Sequence, residues 1–316
     1  MPRLSVLMSA YNAEAFVAEA INSILNQSFQ DFELLIADDG SSDKTKAVID
    51  SFSDHRVMRY HNGENLGKTP TINKLFAFSA GEYLTIHDAD DFSDPNRFDA
   101  QIRFLDDNED YGMCGTSFSY VFYKSKKVFK REVMPTHYDE IVRDIRSGSQ
   151  FHGPTMVFRK KLISGDQLLR PFFEDYHEDC DLSYRLVQQA KATNLQEILY
   201  QYRLVPGSLS KELTPRKRVL YHIVALLANQ REDRGYDDLE RNDTSLLNEE
   251  LKRFLEPYQN DPSKIHIENA EFKMYFKMYR SAINSSVKAF MTKPNIKSLR
   301  TLGYCLRKFI MDNSSF

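Results

Sequence analysis

The chain has 316 residues, of which 41% are apolar, and this suffices for one α/β domain of about 200 residues plus a smaller unit. Its formal net charge of −3 argues against a nucleic-acid-binding protein, which usually carries a concentrated basic excess. The sequence contains neither a signal-peptide pattern nor a run of about 18 uncharged apolar residues, so we expect no membrane-spanning helix and no secretion. A reducing cytoplasm is favoured because the cysteines are odd in number, widely spaced and without a C-x-x-C pair: Cys114, Cys180 and Cys305.

The N-terminal part alternates strand-like and helix-like segments, a pattern typical of a mostly parallel sheet with crossover helices. Between the strands, the spacing of apolar residues and the capping residues predict helices, with Thr69 as the N-cap of one and Asp94-Pro95 as the start of another. The expected fold class is therefore α/β. Four apolar runs predict the strands, at 4–9, 32–37, 57–60 and 83–87.

The pattern becomes largely helical from Thr214 onward. We therefore place a domain boundary near residue 210. The expected organisation is an α/β domain over residues 1–210, followed by a helical C-terminal region over residues 211–316.

Polar residues cluster where three of the predicted strands end. In an open α/β sheet, ligands bind beyond the carboxyl ends of the parallel strands. Adjacent carboxylates repel each other and lose solvation, so a site that gathers them usually holds a cation or hydrogen-bond donors. A divalent metal is the simplest candidate. The three strand ends are Ser9-Ala10-Tyr11-Asn12, Asp38-Asp39-Gly40 and Asp88-Ala89-Asp90-Asp91.

An ordered set of motifs over roughly residues 3 to 210 resembles the family 2 glycosyltransferases. The resemblance implies the GT-A fold, a single nucleotide-binding α/β domain whose second half builds the acceptor site. The motifs are Ser5 to Asn12, Ser23 to Ser28, Ala37 to Asp43, Glu64 to Lys68, Gly81 to Tyr83, Asp88 to Asp91 and His177 to Leu182.

The same resemblance assigns the donor site. It implies that Asp39 accepts the ring N–H of the nucleotide base, that Tyr11 lies against the base and that Ser9 assists. Asp88 and Asp90 occupy the D-x-D position, with Asp88 near the ribose and Asp90 on a Mn²⁺ or Mg²⁺ ion. Such an ion would neutralise the leaving diphosphate as a Lewis acid. The alternatives are a helix-capping turn for the first acidic pair and a core position for Tyr11.

Gly67 and Lys68 lie just before a predicted helix start. A cation and unpaired backbone N–H groups at this point could together bind a phosphate of the donor. The alternative for Lys68 is an ordinary solvent-exposed lysine.

Glu178 and Asp179 match the acidic motif of the family and precede a helical run. Sugar hydroxyls are poor nucleophiles at neutral pH, so transfer needs a general base within hydrogen-bond reach. Asp179 is the predicted base, with Glu178 as the second catalytic candidate. Direct attack opposite the leaving group would invert the anomeric centre, as the resemblance also implies. The alternative is a pair of helix-start acids stabilised by the helix dipole.

Two stretches resemble the acceptor walls of the family, and they supply His152, Gly153, Tyr202 and Arg203. Many relatives have a histidine where this sequence has Val205, so the third protein ligand of the metal stays open. By proximity, His152 and His177 are candidates for that position.

The sequence thus predicts an inverting transferase that moves one hexose or N-acetylhexosamine from a nucleoside-diphosphate sugar, UDP by resemblance. The expected acceptor is a glycan or lipid-linked oligosaccharide of the bacterial surface. The Q-x-x-R-W motif of processive members is absent, which favours single addition. The alternatives are a nucleotide-sugar-binding protein without turnover and a sugar nucleotidyltransferase. The second would normally have a glycine-rich loop near the N-terminus, whereas residues 4–14 contain no glycine.

The C-terminal part has a local basic excess, interleaved with aromatic and aliphatic residues. For residues 272–316 this composition predicts helices lying on an anionic membrane surface, at the inner face of the cell membrane. The alternative is a helical bundle or a contact between copies of the chain. Residues 272–311 contain no acid and nine basic side chains: Lys273, Lys277, Arg280, Lys288, Lys293, Lys297, Arg300, Arg307 and Lys308.

Overall fold

The computed structural model describes residues 1–205 and 212–313. The chain divides into two compact units, Met1–Val205 and Pro206–Phe316. The first unit contains helices α1 to α6 at Val17–Leu25, Thr45–Asp50, Lys68–Phe78, Arg97–Asp107, Tyr138–Asp144 and Glu178–Val187. Its strands β1 to β9 span Leu4–Ala10, Phe32–Asp38, Val57–His61, Tyr83–Ile86, Phe92–Ser93, Tyr111–Phe122, Val128–Glu132, Val157–Arg159 and Lys191–Leu204.

All of these strands belong to one mixed sheet. The first four pair in parallel, in the order β3, β2, β1, β4. The sheet continues with β8, β6, β9 and β5, while β7 pairs with β6. In this second half β4, β8 and β6 alternate in direction, whereas β6 and β9 run parallel. The predicted α/β class is confirmed, in a sheet that is parallel over its first four strands and mixed beyond them.

The core of the first unit lies between this sheet and its helices. Strands β1 and β2 are buried along almost their whole length, which is why both read as nearly continuous apolar runs. Helix α1 packs Val17, Ile21 and Ile24 into the same core. Glu33 is a buried acid within β2, and its carboxylate accepts hydrogen bonds from the Ser5 hydroxyl at 2.6 Å and from a backbone N–H at 2.7 Å.

Two predicted helix starts are wrong. Helix α3 begins at Lys68 with Gly67 in the N-cap position, and Oδ1 of Asp175 accepts the Thr69 N–H at 2.8 Å. The true cap was invisible locally because that carboxylate lies 106 positions away in the sequence. The helix expected at Asp94 begins three residues later, at Arg97, because the Asp94 side chain instead accepts a backbone N–H in a turn at 3.0 Å.

The second unit is helical. Thr214 caps its first helix by accepting the N–H of Lys217 at 3.1 Å, and Gly235 ends that helix with a φ of 78°. The last three helices pack around a small core of Ala270, Ala282 and Cys305. Within the described ranges, no helix is both long and apolar enough to cross a membrane. Helices α7 to α11 span Pro215–Arg234, Ser245–Asn260, Ser263–Tyr275, Tyr279–Thr292 and Ile296–Asn313.

Candidate active site

The three polar strand ends lie at one edge of the sheet. Strands β1 and β2 pair in register up to Ala10 and Asp38, where both strands end. Strand β4 pairs with β1 on its other side and ends at Ile86, two residues before Asp88. Segments that are distant in sequence therefore meet at the carboxyl edge, where parallel sheets bind their ligands.

Asp39 anchors the loop that leads into α3. Its buried carboxylate accepts hydrogen bonds from the side chains of Asn62 at 2.7 Å and Thr71 at 2.8 Å. It also accepts the backbone N–H groups of Leu66 at 3.1 Å and Gly67 at 3.0 Å. Four donors leave little acceptor capacity, so Asp39 first of all holds the backbone around Gly67 in place.

Asp38 is the neighbouring carboxylate, which sequence reasoning did not single out as a ligand. It is buried, and its Oδ1 has no hydrogen-bond partner in the described part of the chain. A buried oxygen without a donor costs free energy, so this oxygen is suited to receive one from a ligand. Two adjacent aspartates read alike in sequence, and only the surrounding donors separate their roles.

The residues after β1 form the rim of the same edge. Tyr11 is 49% exposed, which excludes the core position considered as its alternative, and Ser9 is half-buried. Asn12 adopts a φ of 47°, and its Oδ1 accepts the N–H of Ser42 at 2.9 Å. This bond fastens the turn after β1 to the turn after β2. The tyrosine ring is therefore presented to solvent from a fixed backbone.

Lys68 connects acids from two separate elements. Its ammonium lies 2.9 Å from Oδ1 of Asp88, after β4, and 3.5 Å from Oε1 of Glu178, in the first turn of α6. The alternative of a freely solvated lysine does not hold, since the side chain is only 26% exposed. Lys68 together with Asp88, Asp90, Glu178 and Asp179 is called the charged cluster below.

Burial and mutual charge set the protonation of the charged cluster. Burial opposes the charge of Lys68, but Asp88 and Glu178 outweigh it and raise the pKa of Lys68 well above its ordinary value. Burial likewise opposes ionisation of Asp88, yet Lys68 holds the pKa of that carboxyl below its usual range. Burial raises the pKa of Glu178 to about 7, with Asp179 adding to the rise and Lys68 opposing it. Burial and the charge of Asp88 raise the pKa of Asp90 to about 6.

Strand β9 braces the turn that contains Asp90. The buried carboxylate of Asp91 accepts the Tyr200 hydroxyl at 2.9 Å and the backbone N–H of Arg203 at 2.7 Å. The Arg203 guanidinium donates to the carbonyl of Asp90 at 2.7 Å and to Glu19 at 3.0 Å. Arg203, predicted at the acceptor wall, is thus buried and engaged in positioning the acidic turn. This role rests on long-range contacts that no local motif shows.

Asp179 lies against Gly153. One carboxylate oxygen, Oδ1, accepts the N–H of Cys180 at 2.8 Å, as a helix-start acid would. A side chain at Gly153 would place its Cβ 2.5 Å from the other oxygen, Oδ2. The carboxylate therefore occupies space that only glycine leaves open, and the two predicted site residues are in direct contact.

His152 adds a neutral imidazole to the same region. Its ring stacks on Phe118 at a centroid distance of 4.1 Å and meets the edges of Tyr200 and Tyr202 at 5.8 and 5.3 Å. Burial lowers the pKa of His152 to about 4, although the charges of the nearby Asp88 and Asp179 oppose that shift. Its Nε2 is buried and has no hydrogen-bond partner among the residues described.

His177 stands apart from the imidazole of His152. It is the N-cap residue of α6, with a φ of 63°, and its Nδ1 lies 3.7 Å from the sulfur of Cys180. The two histidines proposed for the open metal position thus have different surroundings. The rest of the predicted closing motif, from residue 206 to 210, lies outside the described residues.

The oxygen donors of the site can be compared with the needs of a divalent cation. In the ranges that the structure covers, no group of three or more His, Cys, Asp or Glu is arranged to hold a metal. Asp88 is paired with Lys68, whereas burial and the charge of Asp88 raise the pKa of Asp90, so Asp90 is the carboxylate that a cation would stabilise. One carboxylate fits Mg²⁺ or Mn²⁺, which take many of their ligands from phosphate oxygens and water.

Several known proteins are similar to this chain in sequence or in fold. The E. coli enzyme UDP-Glc:alpha-D-GlcNAc-diphosphoundecaprenol beta-1,3-glucosyltransferase WfgD is 27% identical over 209 residues, covering 66% of this chain and 79% of WfgD. The crystal structure of S. aureus TarS with UDP-GlcNAc matches with a TM-score of 0.60 at 18% identity, over 98% of this chain and 80% of that one. The mannosyltransferase PcManGT of Pyrobaculum calidifontis, in complex with GDP-Man and Mn²⁺, matches with a TM-score of 0.54 at 15% identity, over 98% and 81% of the two chains.

The family match covers the first part of the site and ends before Glu178, Asp179 and β9. The sequence profile described as Glycosyl transferase family 2 matches residues 5–165, about half of the chain. These residues include the carboxyl edge of β1, β2 and β4, together with Lys68 and Gly153. The chain therefore belongs to glycosyl transferase family 2 and is a glycosyltransferase with the GT-A fold.

Proposed function

We propose that this enzyme moves one hexose or N-acetylhexosamine from a UDP-sugar to a hydroxyl of a glycan or lipid-linked oligosaccharide, with inversion and without processive addition. The observation that carries the proposal is the charged cluster, in which Lys68 joins acids from the end of β4 and the start of α6. The names of WfgD and TarS support the donor, since one is a UDP-Glc transferase and the other was crystallised with UDP-GlcNAc.

The donor is proposed to bind at the carboxyl edge of the sheet. The base lies against Tyr11, beside Ser9, and its ring N–H is received by the aspartate pair after β2, where Asp38 has the open oxygen and Asp39 fixes the loop. The ribose lies at Asp88. The diphosphate meets the ammonium of Lys68 and the backbone at Gly67, where α3 begins.

Asp90 is proposed to hold Mn²⁺ or Mg²⁺ together with the donor diphosphate. Such an ion supplies Lewis-acid stabilisation of the charge that grows on the leaving group. The raised pKa of Asp90 supports this role, because a carboxylate held near Asp88 gains from a neighbouring cation. The Mn²⁺ in the complex of PcManGT is consistent with the same assignment. Arg203 keeps Asp90 in position through its backbone carbonyl.

Asp179 is proposed as the general base. Its Oδ1 is held by the N–H of Cys180, which leaves Oδ2, next to Gly153, to take the proton of the acceptor hydroxyl. The acceptor oxygen forms the new bond to the anomeric carbon while the bond to the diphosphate breaks. The electron pair leaves with the diphosphate, and the proton moves to Oδ2. Attack from the side opposite the leaving group inverts the anomeric centre. Glu178 holds Lys68 and would be the base if Asp179 were not.

The acceptor wall is proposed to include His152, Gly153, His177 and Tyr202. The neutral imidazole of His152 supports this placement, because its Nε2 is aimed at no protein group in the described chain. We further assign the GT-A domain to residues 1–210 and the helical region to 211–316. The proposed location is the cytoplasm, at the inner face of the cell membrane, with contact through residues 272–316. Unpaired cysteines and the C-terminal basic excess support it.

A screen of nucleotide-sugars tests the proposed function. Purified enzyme with each UDP- or GDP-sugar should release the nucleoside diphosphate only when Mn²⁺ or Mg²⁺ is present. Asp179→Asn is the matched control, since it keeps the donor site but lacks the base. If a donor stabilised the protein against heat but no donor released its nucleoside diphosphate, the proposal would be overturned in favour of a binding protein. Formation of pyrophosphate from UTP and a sugar 1-phosphate would show a nucleotidyltransferase instead.

A further inference from the structure

Helix α11 buries only small residues completely, keeps Leu302 and Phe309 partly buried, and leaves several other large apolar residues exposed. Its buried positions are Ser298 and Cys305, both with no exposed surface. Ile296, Leu299 and Leu306 are instead 71%, 56% and 42% exposed. A helix of a soluble protein normally buries its largest apolar side chains and turns the polar face outward. The exposed apolar residues of α11 depart from this rule, so that side of the helix is suited to an apolar surrounding.

The exposed apolar residues form a stripe bordered by arginines. Ile296, Leu299, Leu306 and Ile310 follow helical spacing and lie on one side of α11, with Gly303 between them. Arg300 and Arg307 are seven residues apart, so they lie on one line beside this stripe, and both are exposed. In the described chain, neither arginine forms an ion pair. Ile296, Leu299, Arg300, Leu306 and Arg307 are called the α11 face below.

The packing also shows which basic residues of the segment are already buried or paired with an acid. Lys273 is buried, and its ammonium lies 3.1 Å from the Ser285 hydroxyl and 3.3 Å from Glu212. Lys293 is 3.4 Å from a carboxylate oxygen of Asp261. The basic excess of residues 272–311 is therefore not one continuous patch. Four of its nine basic residues lie on α11, and among them Arg300 and Arg307 border the exposed apolar stripe.

We propose that the α11 face docks on an anionic lipid bilayer, with the helix lying in the membrane interface. This inference rests on one part of the proposed function, the location at the membrane. The apolar stripe would enter the boundary of the acyl chains while Arg300 and Arg307 pair with lipid phosphates. A second copy of the chain fits less well. Residues 272–311 contain no acid, so two such faces would bring like charges together.

Vesicle sedimentation of the full chain tests this docking. Wild-type protein should sediment with vesicles of phosphatidylglycerol and phosphatidylcholine, and far less with phosphatidylcholine alone. Arg300→Glu with Arg307→Glu should weaken binding to the anionic vesicles by about tenfold or more. Leu299→Ser with Leu306→Ser should weaken it too, because the apolar stripe supplies part of the affinity. The charge-matched control is Lys252→Glu with Arg253→Glu, on exposed positions of α8, which should bind as wild type does.

The outcomes separate docking from function and from self-association. Circular dichroism confirms that each variant is folded, and hydrolysis of a soluble donor should be unchanged in all of them. Wild-type sedimentation of the arginine variant, or equal binding to neutral vesicles, would overturn the proposal. The proposal would also be overturned if wild-type protein bound no vesicles but formed a dimer in light scattering, and if the leucine variant lost that dimer. Absent donor hydrolysis with intact vesicle binding would count against the proposed reaction alone.

Discussion

The charged cluster and the α11 face depart from ordinary packing in opposite ways. The first buries ionisable groups, so that Asp90 and Glu178 have raised pKa values. The second exposes leucine and isoleucine to water while serine and cysteine are buried. Both arrangements cost free energy in the isolated chain, and both are relieved by a ligand of complementary character. A cation and a diphosphate suit the first region, and an anionic bilayer suits the second.

Loss of Asp90 should have the largest effect, because it removes the proposed metal ligand from the charged cluster. For Asp90→Ala we expect metal-stimulated turnover to fall on the order of 10³-fold. Vesicle binding through the α11 face should not change. The measurement is the initial rate as a function of Mn²⁺ concentration, with vesicle sedimentation in parallel. A rate for Asp90→Ala that still rises with Mn²⁺ as in wild type would remove Asp90 from the metal site.

Loss of Asp179 should affect chemistry and leave binding intact. For Asp179→Asn we expect kcat to fall on the order of 10²-fold, because the amide cannot take the proton of the acceptor. Affinity for the donor, measured by calorimetry, should stay close to wild type. Glu178→Gln is the comparison variant and should lose less, since Glu178 faces Lys68. If Glu178→Gln lost more than Asp179→Asn, the two roles would have to be exchanged.

Much of the charged cluster could be predicted from the sequence because its members lie in local motifs. A strand that runs into Asp88 and Asp90, and a helix start at Glu178, are readable from neighbouring residues. The partners that position them are not. Arg203 reaches Asp90 across 113 positions, and Asp175 reaches α3 across 106. Which of Asp38 and Asp39 keeps an open oxygen also depends on donors from a loop that pattern and spacing cannot place.

The α11 face was less readable, for a related reason. The composition of residues 272–311 indicates a segment of basic residues interleaved with apolar ones. Periodicity alone does not show which side of each helix packs inward. The composition places Lys273 with the surface cations, but in the structure Lys273 is buried. The outward placement of Leu299 and Leu306 depends on the small residues that α11 buries against its neighbours. Tertiary packing thus decides which part of a uniform sequence pattern is exposed.

A smaller disturbance should come from filling the space beside Asp179. For Gly153→Ala, the new Cβ would lie 2.5 Å from Oδ2 of Asp179, so the carboxylate must shift. We expect kcat to fall by about tenfold or more, since small displacements of a reacting group are costly. Gly148→Ala is the matched control, because a Cβ there has nothing within 4 Å. Equal rates for the two variants would mean that the contact with Gly153 does not position Asp179.

The smallest expected effect is on the pH dependence of folding stability. It should arise from titration within the charged cluster and not from the α11 face. Burial, with the charge of Asp179, raises the pKa of Glu178 from 4.5 to about 7 in the folded chain. Below pH 4.5 the group is protonated in both states. As the pH rises from 4.5 to about 7, the unfolded chain ionises first, so the folded state loses stability until Glu178 itself ionises.

Glu178→Gln should remove this loss. Its Tm relative to wild type should be higher at pH 8 than at pH 5 by roughly 3–5 °C, measured by calorimetry without metal or donor. Glu109→Gln, at an exposed position, should show no such difference between the two pH values. A Tm difference from wild type that is the same at pH 5 and pH 8 for Glu178→Gln would mean that Glu178 does not carry the titration. The strain in the charged cluster would then have to lie with Asp90, whose raised pKa acts in the same direction.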